Sequence, residues 1–108
     1  MKALFVCGRN RLRSPTAAAV FAAWPDVDTD SAGLNPDADV VLSADQIEWA
    51  DVIFVMERPH RAKLKKQFPN AIKDKRVICL DIADTYAFMQ SELIRALAAR
   101  AGPALRQR

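Results

Sequence analysis

Cys7 and Arg13 lie six positions apart and bracket a short polar stretch, Cys7-Gly8-Arg9-Asn10-Arg11-Leu12-Arg13-Ser14. A cysteine thiolate is a strong nucleophile, and an arginine guanidinium can grip two oxygens of one phosphate through its planar fork. Gly8 and Asn10 are residue types that tolerate the backbone angles of a tight anion-binding nest. A loop entering a helix N-terminus aims several N–H groups into one concavity, which with the helix dipole suits a phosphate-sized anion. A sulfur at the floor of that concavity feels the same field, which favours the thiolate. Ser14 is placed to donate a hydrogen bond to it. The stretch 8–14 is thus a candidate phosphate-binding loop, with Cys7 and Arg13 as its chemically active members.

Such a loop needs a strand to deliver it and a helix to receive it. Lys2 to Val6 reads as a buried strand, because Ala3-Leu4-Phe5-Val6 is one continuous apolar run. Ser14-Pro15 reads as a helix start, with Ser14 at the N-cap, and the helix runs from Ala17 to Trp24. Val27 to Ala32 is a second, weaker strand. Ser43-Ala44-Asp45-Gln46 has capping-box spacing and opens a short helix to about Ala50. Asp51–Met56 reads as a strand, Pro59–Phe68 as a basic helix and Arg76–Leu80 as a fourth strand. A last helix spans about Met89 to Ala101, with Gly102-Pro103 as its stop. Strands alternate with helices throughout, which predicts a parallel four-stranded sheet covered on both faces, in flavodoxin-like order. Ligands of such sheets bind at the carboxyl ends of the strands, where Cys7 and Asp81 both fall.

The residues so far named carry a resemblance. Leu4-Phe5-Val6-Cys7, the Cys-x5-Arg spacing and Arg13-Ser14-Pro15-Thr16-Ala17 resemble the low-molecular-weight protein tyrosine phosphatases. So do Asp30-Ser31-Ala32-Gly33, Asp51 to Glu57 with His60 and Leu64, and Asp81-Ile82-Ala83-Asp84-Thr85-Tyr86. The resemblance implies the three-layer phosphotyrosine phosphatase I-like fold over one domain, 1–108. It implies hydrolysis of a phosphomonoester, such as phosphotyrosine or an aryl phosphate, through a phosphocysteine on Cys7. Arg13 would hold the phosphoryl oxygens, and Asn10, Ser14 and Ser31 would form the network that shapes the loop. Asp84 would be the general acid and later base, with Asp81 as the alternative, and Tyr86 an aromatic at the mouth. No cofactor is implied.

The chain departs from the family pattern at several points. The long loop and helix that wall one side of the family's groove are reduced to a few residues between Gly33 and Asp37. Leu12 stands where the family has a second cysteine, Arg9 and Arg11 replace small and apolar residues, and Asp84 precedes Thr85 rather than proline. Arg9 and Arg11 add positive charge beside the nest, which favours substrates with further negative groups. An arsenate reductase shares this fold and loop but needs resolving thiols, and only Cys79 is available. A weakly catalytic oxyanion-binding regulatory domain is the third reading.

Composition sets the remaining bounds. The 108 residues suit one compact domain. No apolar run is long enough to span a membrane, and the short apolar start precedes rather than follows its basic residues, so a cytoplasmic protein is expected. Two cysteines make no disulfide framework, and Cys79, in Val77-Ile78-Cys79-Leu80, is read as core. The single histidine, His60, is placed on an exposed basic helix, and no metal site is expected. Basic clusters over 58–66, over 73–76 and at the C-terminal end are read as solvated faces, with no nucleic-acid partner. The expected partners are a phosphorylated protein or small phosphomonoester, and oxyanions such as phosphate, sulfate or vanadate.

Overall fold

The computed structural model describes residues 1–106. The expected domain, 1–108, therefore includes two residues, 107 and 108, that lie outside the described residues. The elements follow in the order β1 (Lys2–Cys7), α1 (Arg13–Ala22), β2 (Asp28–Gly33), α2 (Ala44–Trp49), β3 (Val52–Val55), α3 (Arg58–Gln67), β4 (Arg76–Cys79) and α4 (Ser91–Arg106). The four strands form one parallel sheet in the order β2-β1-β3-β4. This is the expected flavodoxin-like arrangement, with its switch point between β1 and β3.

Period-two alternation divides the core into two layers. Ala3, Phe5 and Cys7 of β1, with Val52 and Phe54 of β3, face α1 and α4. Leu4 and Val6, with Ile53 and Val55, face α2 and α3. Because both faces are covered, these strands are apolar without interruption. Phe5 stacks on Phe54 at 5.1 Å and on Phe21 of α1 at 5.6 Å, which ties the first layer directly beneath Cys7.

Two helix boundaries differ from expectation. α1 begins at Arg13 with Leu12 as its N-cap, so Ser14 lies inside the first turn and no side chain caps the helix. α4 runs through Gly102-Pro103 to Arg106. An internal proline costs about 3 kcal/mol, yet Ala101, Ala104 and Leu105 continue the buried stripe begun by Leu93 and Leu97. Gly102 also lies against Trp24, where an added Cβ would come within 3.0 Å of the ring, and Arg106 covers that ring at 4.9 Å. Burial of this last turn offsets the missing hydrogen bond. The Ser43–Gln46 capping box forms as its spacing predicts. No helix among the described residues is long and apolar enough to cross a membrane.

Candidate active site

The loop after β1 is held in shape by the chain that follows β2. The amides of Leu34, Asn35 and Asp39 donate to the carbonyls of Cys7, Gly8 and Arg9 at 2.9, 2.9 and 3.0 Å. In a trans peptide the N–H of the next residue points opposite to the carbonyl. Three carbonyls fixed outwards therefore turn the amides of Gly8, Arg9 and Asn10 inwards. The Asn10 amide shows the direction, since it donates to Cys7 Sγ at 3.1 Å. Asn10 adopts φ 57°, a left-handed conformation that asparagine accepts more readily than most residues. Gly33 permits the close approach, for a Cβ there would lie 2.5 Å from the Gly8 carbonyl oxygen.

Cys7, Gly8, Arg9, Arg11, Leu12, Arg13, Asn35 and Asp84 line a cavity of about 410 Å³ at the carboxyl end of β1. Cys7 is buried at its floor, with 4% exposure. Arg13 is the hub of the charged groups. Its Nη1 donates to Glu57 Oε1 and to the Ile82 carbonyl at 2.8 Å, while its Nε lies 3.6 Å from Asp84 Oδ1. With Nη1 occupied, the Nε–Nη2 edge is the one left for an oxyanion. Asp84, whose side chain is mostly exposed, stands on that edge.

The structure separates the two candidate acids. Asp84 borders the cavity, whereas Asp81 does not line it and holds φ 55°, with its carbonyl accepting from Arg100. Three expectations need correction. Ser14 Oγ and Asn10 Oδ1 are both buried without a hydrogen-bond partner, so Ser14 does not bond the sulfur. It sits within the helical turn rather than at the cap facing Cys7. Ser31 does not close the network on either atom. It pairs with Phe5, two residues short of the Cys7–Gly33 pair and so roughly 6–7 Å down the strand, and its carbonyl receives Gln46 Nε2 at 3.5 Å. Tyr86 packs half-buried against the core layer of α1 and α4 instead of lining the cavity, because its ring gains apolar contact there.

Arg9 and Arg11 line the cavity, but each faces a carboxylate from the segment that follows β2. Arg9 Nε lies 3.6 Å from Asp37 and Arg11 Nε 3.2 Å from Asp39, all four side chains being about half exposed. Exposed pairs of this kind contribute about 0–1 kcal/mol each, but they offset much of the positive field expected at the mouth.

The residues that sequence reasoning did not place in the site are Glu57, Asn35 and His60. Glu57 lies two residues beyond the end of β3, and topology alone puts that position beside the end of β1. His60 is half-buried, not exposed as expected. Its Nδ1 accepts from the Glu57 amide at 3.2 Å, and its Nε2 would lie 4.0 Å from a Cβ at Gly8. Burial, followed by the Arg13 charge, lowers its pKa below the usual value, against opposing pulls from Glu57 and Asp84. The unfolded chain therefore binds a proton that the folded chain rejects, so stability is full above about pH 6.5 and falls as pH drops below it. We expect a lower thermal unfolding midpoint at about pH 5.5 than at pH 7. In His60→Gln that difference shrinks; an equal pH dependence in both proteins would show that His60 is not its source.

Cys7 and Cys79 cannot act as a pair in this arrangement. Val6, Val55 and Cys79 are register partners across β1, β3 and β4, so the two cysteines are about 10 Å apart across two strand spacings. They also belong to core layers on opposite faces of the sheet. A disulfide needs Cα atoms within about 7 Å.

No protein-family model and no curated protein sequence matches the chain. Solved structures do. An arginine phosphatase, YwlE, from Geobacillus stearothermophilus is 28% identical with a TM-score of 0.73, covering 97% of this chain and 92% of its own. Vibrio vulnificus Wzb, in complex with benzylphosphonate, is 22% identical with a TM-score of 0.79, covering 99% and 98%. A low molecular weight protein tyrosine phosphatase from T. tengcongensis is 22% identical with a TM-score of 0.72, covering 94% and 93%.

Proposed function

We propose that the chain is a phosphatase of the low-molecular-weight protein tyrosine phosphatase kind, supported by its likeness to the YwlE arginine phosphatase and by the shared fold, and that it hydrolyses phosphomonoesters, phosphotyrosine or aryl phosphates among them, through a phosphocysteine on Cys7. The observation that carries this reading is the Cys7 sulfur beneath inward-turned amides, in a cavity that Arg13 and Asp84 also line. The amides of Gly8, Arg9 and Asn10 and the Nε–Nη2 edge of Arg13 receive the phosphoryl oxygens. Cys7 Sγ attacks phosphorus, the S–P bond forms and the P–O bond to the leaving group breaks. Asp84, in its protonated form, gives that leaving oxygen its proton. Water then attacks the phosphocysteine, Asp84 takes a proton from it, and the S–P bond breaks to release phosphate. Glu57 and the Ile82 carbonyl keep the guanidinium aimed throughout.

An arsenate reductase would need a second thiol to resolve Cys7, and the position of Cys79 speaks against one. The reading places inorganic phosphate, sulfate and vanadate in the same cavity as competitive inhibitors. Its test is acid-quenched mass spectrometry during turnover of an aryl phosphate, which should show a phosphoryl group on the peptide containing Cys7. No turnover of any phosphomonoester would leave only an oxyanion-binding role.

The acid is tested by leaving-group dependence. Asp84→Asn should slow a poorly activated aryl or alkyl ester by ~10²-fold, as general-acid groups contribute about 10²–10⁴-fold, and should affect the first step of an ester with a very good leaving group far less. Asp81→Asn should leave both close to normal. Equal loss on both esters in Asp84→Asn, or a larger loss in Asp81→Asn, would remove Asp84 from this role.

A further inference from the structure

Residues 58–76 hold eight of the sixteen Lys and Arg residues but only one, Asp74, of the thirteen Asp and Glu, so this stretch has a formal charge of +7 and the rest of the chain −4. The sequence reads as a solvated helix face; the structure gathers part of it into a groove. α3, the connection after it and the edge strand β4 enclose a cleft of about 490 Å³. Its walls carry Arg61, Lys65, Lys73 and Lys75, and half-buried Ile72 and Val77 supply apolar surface between them. Arg61 donates to the Val77 carbonyl, and Lys75 Nζ to the carbonyls of Glu48 and Ala50 at 2.9 and 2.8 Å, so two of the four cations are held in place.

None of the ion pairs among the described residues involves these four side chains. The contrast with Arg9 and Arg11 is direct, since each of those meets an aspartate of its own chain. Like charges one helical turn apart, as at Arg61 and Lys65, repel, and no carboxylate among the described residues pairs with either. The groove is also tied to the catalytic loop through α3. That helix starts beside Glu57, which holds Arg13, and its third residue is His60, beside Gly8. Ten helical residues span about 15 Å, which about five extended residues can bridge.

We propose that this groove is a docking site for an acidic, extended segment of a phosphoprotein substrate, with carboxylates on the four cations and one apolar side chain against Ile72 and Val77. The proposal rests on the phosphatase reading and deepens it by naming what lies beside the phosphorylated residue. The aliphatic floor favours a peptide over nucleic acid: single strands bind by stacking bases on aromatic rings, and no aromatic side chain is among the described residues that line this groove. The acidic preference of the protein then resides here more than in the paired arginines at the cavity mouth.

The test has a binding arm independent of catalysis. A fluorescent unphosphorylated peptide, rich in glutamate with one central leucine, should bind the wild type in anisotropy titrations and weaken with added salt, as exposed charges are screened over about 10 Å at 0.1 M. Lys65→Glu with Lys73→Glu should weaken that binding about 10-fold, the order expected for reversing two exposed charges, while leaving hydrolysis of a small aryl phosphate unchanged. In the same variant kcat/KM for a phosphotyrosine peptide with an acidic extension should fall by a similar factor, through KM, with no change for the peptide lacking the extension. Absence of peptide binding at low salt, equal binding in the variant, or tighter binding of an oligonucleotide of equal charge would overturn the proposal. Loss of small-ester hydrolysis in the wild type would instead count against the phosphatase reading, while the anisotropy result would still stand.

Discussion

Cys7→Ser should lose turnover by roughly 10⁴-fold or more, the scale on which removal of a covalent nucleophile is felt, and should still bind phosphate and vanadate. A serine hydroxyl is a far weaker nucleophile than a thiolate. The oxyanion site persists because it is not built by the sulfur. The outward carbonyls of Cys7, Gly8 and Arg9 are fixed by the amides of Leu34, Asn35 and Asp39, and Arg13 is fixed by Glu57 and the Ile82 carbonyl. Steady-state assays with an aryl phosphate and calorimetric titration with phosphate read the two effects separately. Near-normal turnover would remove Cys7 from the reaction. Loss of phosphate binding together with turnover would show that the sulfur, not the backbone, shapes the loop.

Arg13→Lys should cost about 10³-fold in kcat, within the range for losing a guanidinium that stabilises a phosphoryl transition state. The change keeps the charge but not the geometry. A guanidinium can give Nη1 to Glu57 and the Ile82 carbonyl and still present two parallel N–H groups to the cavity. An ammonium is a point donor, and Glu57 together with the Ile82 carbonyl would draw it away from the phosphate. Vanadate inhibition should weaken as well, which separates this effect from a simple loss of nucleophile. Because the Arg13 side chain is only 7% exposed, thermal unfolding of the variant must be compared with wild type. A variant that unfolds as wild type does and keeps kcat within about 10-fold would show that bidentate grip on the phosphoryl group is not needed.

Local chemistry accounts for what the sequence shows by itself. The buried parallel strands are legible because a strand covered on both faces must be apolar at every position, as in Ala3-Leu4-Phe5-Val6 and Val52-Ile53-Phe54-Val55. The Cys7-to-Arg13 loop is legible because an anion nest needs residue types and spacing confined to one short segment. The Ser43–Gln46 box is legible because its two hydrogen bonds close within four residues.

Where contacts are made between distant segments, only the tertiary structure decides. Gly102-Pro103 is a helix stop by local rule, yet α4 continues because Ala104 and Leu105 find the core and Gly102 finds Trp24. Asp84 and Asp81 are equivalent in a list of residues, but the left-handed backbone at Asp81 turns its carbonyl to accept from Arg100, and of the two only Asp84 lines the cavity. Arg9 and Arg11 are bare charges in the sequence, and Asp37 and Asp39 meet them only because Gly33 lets the following segment lie against the loop. The sequence thus determined the sheet, the nucleophile candidate and the nest, each a matter of local pattern. Which carboxylate faces the cavity, which arginines are paired and which lysines are left without partners depend on side chains that approach through space. No spacing along the chain encodes those distances.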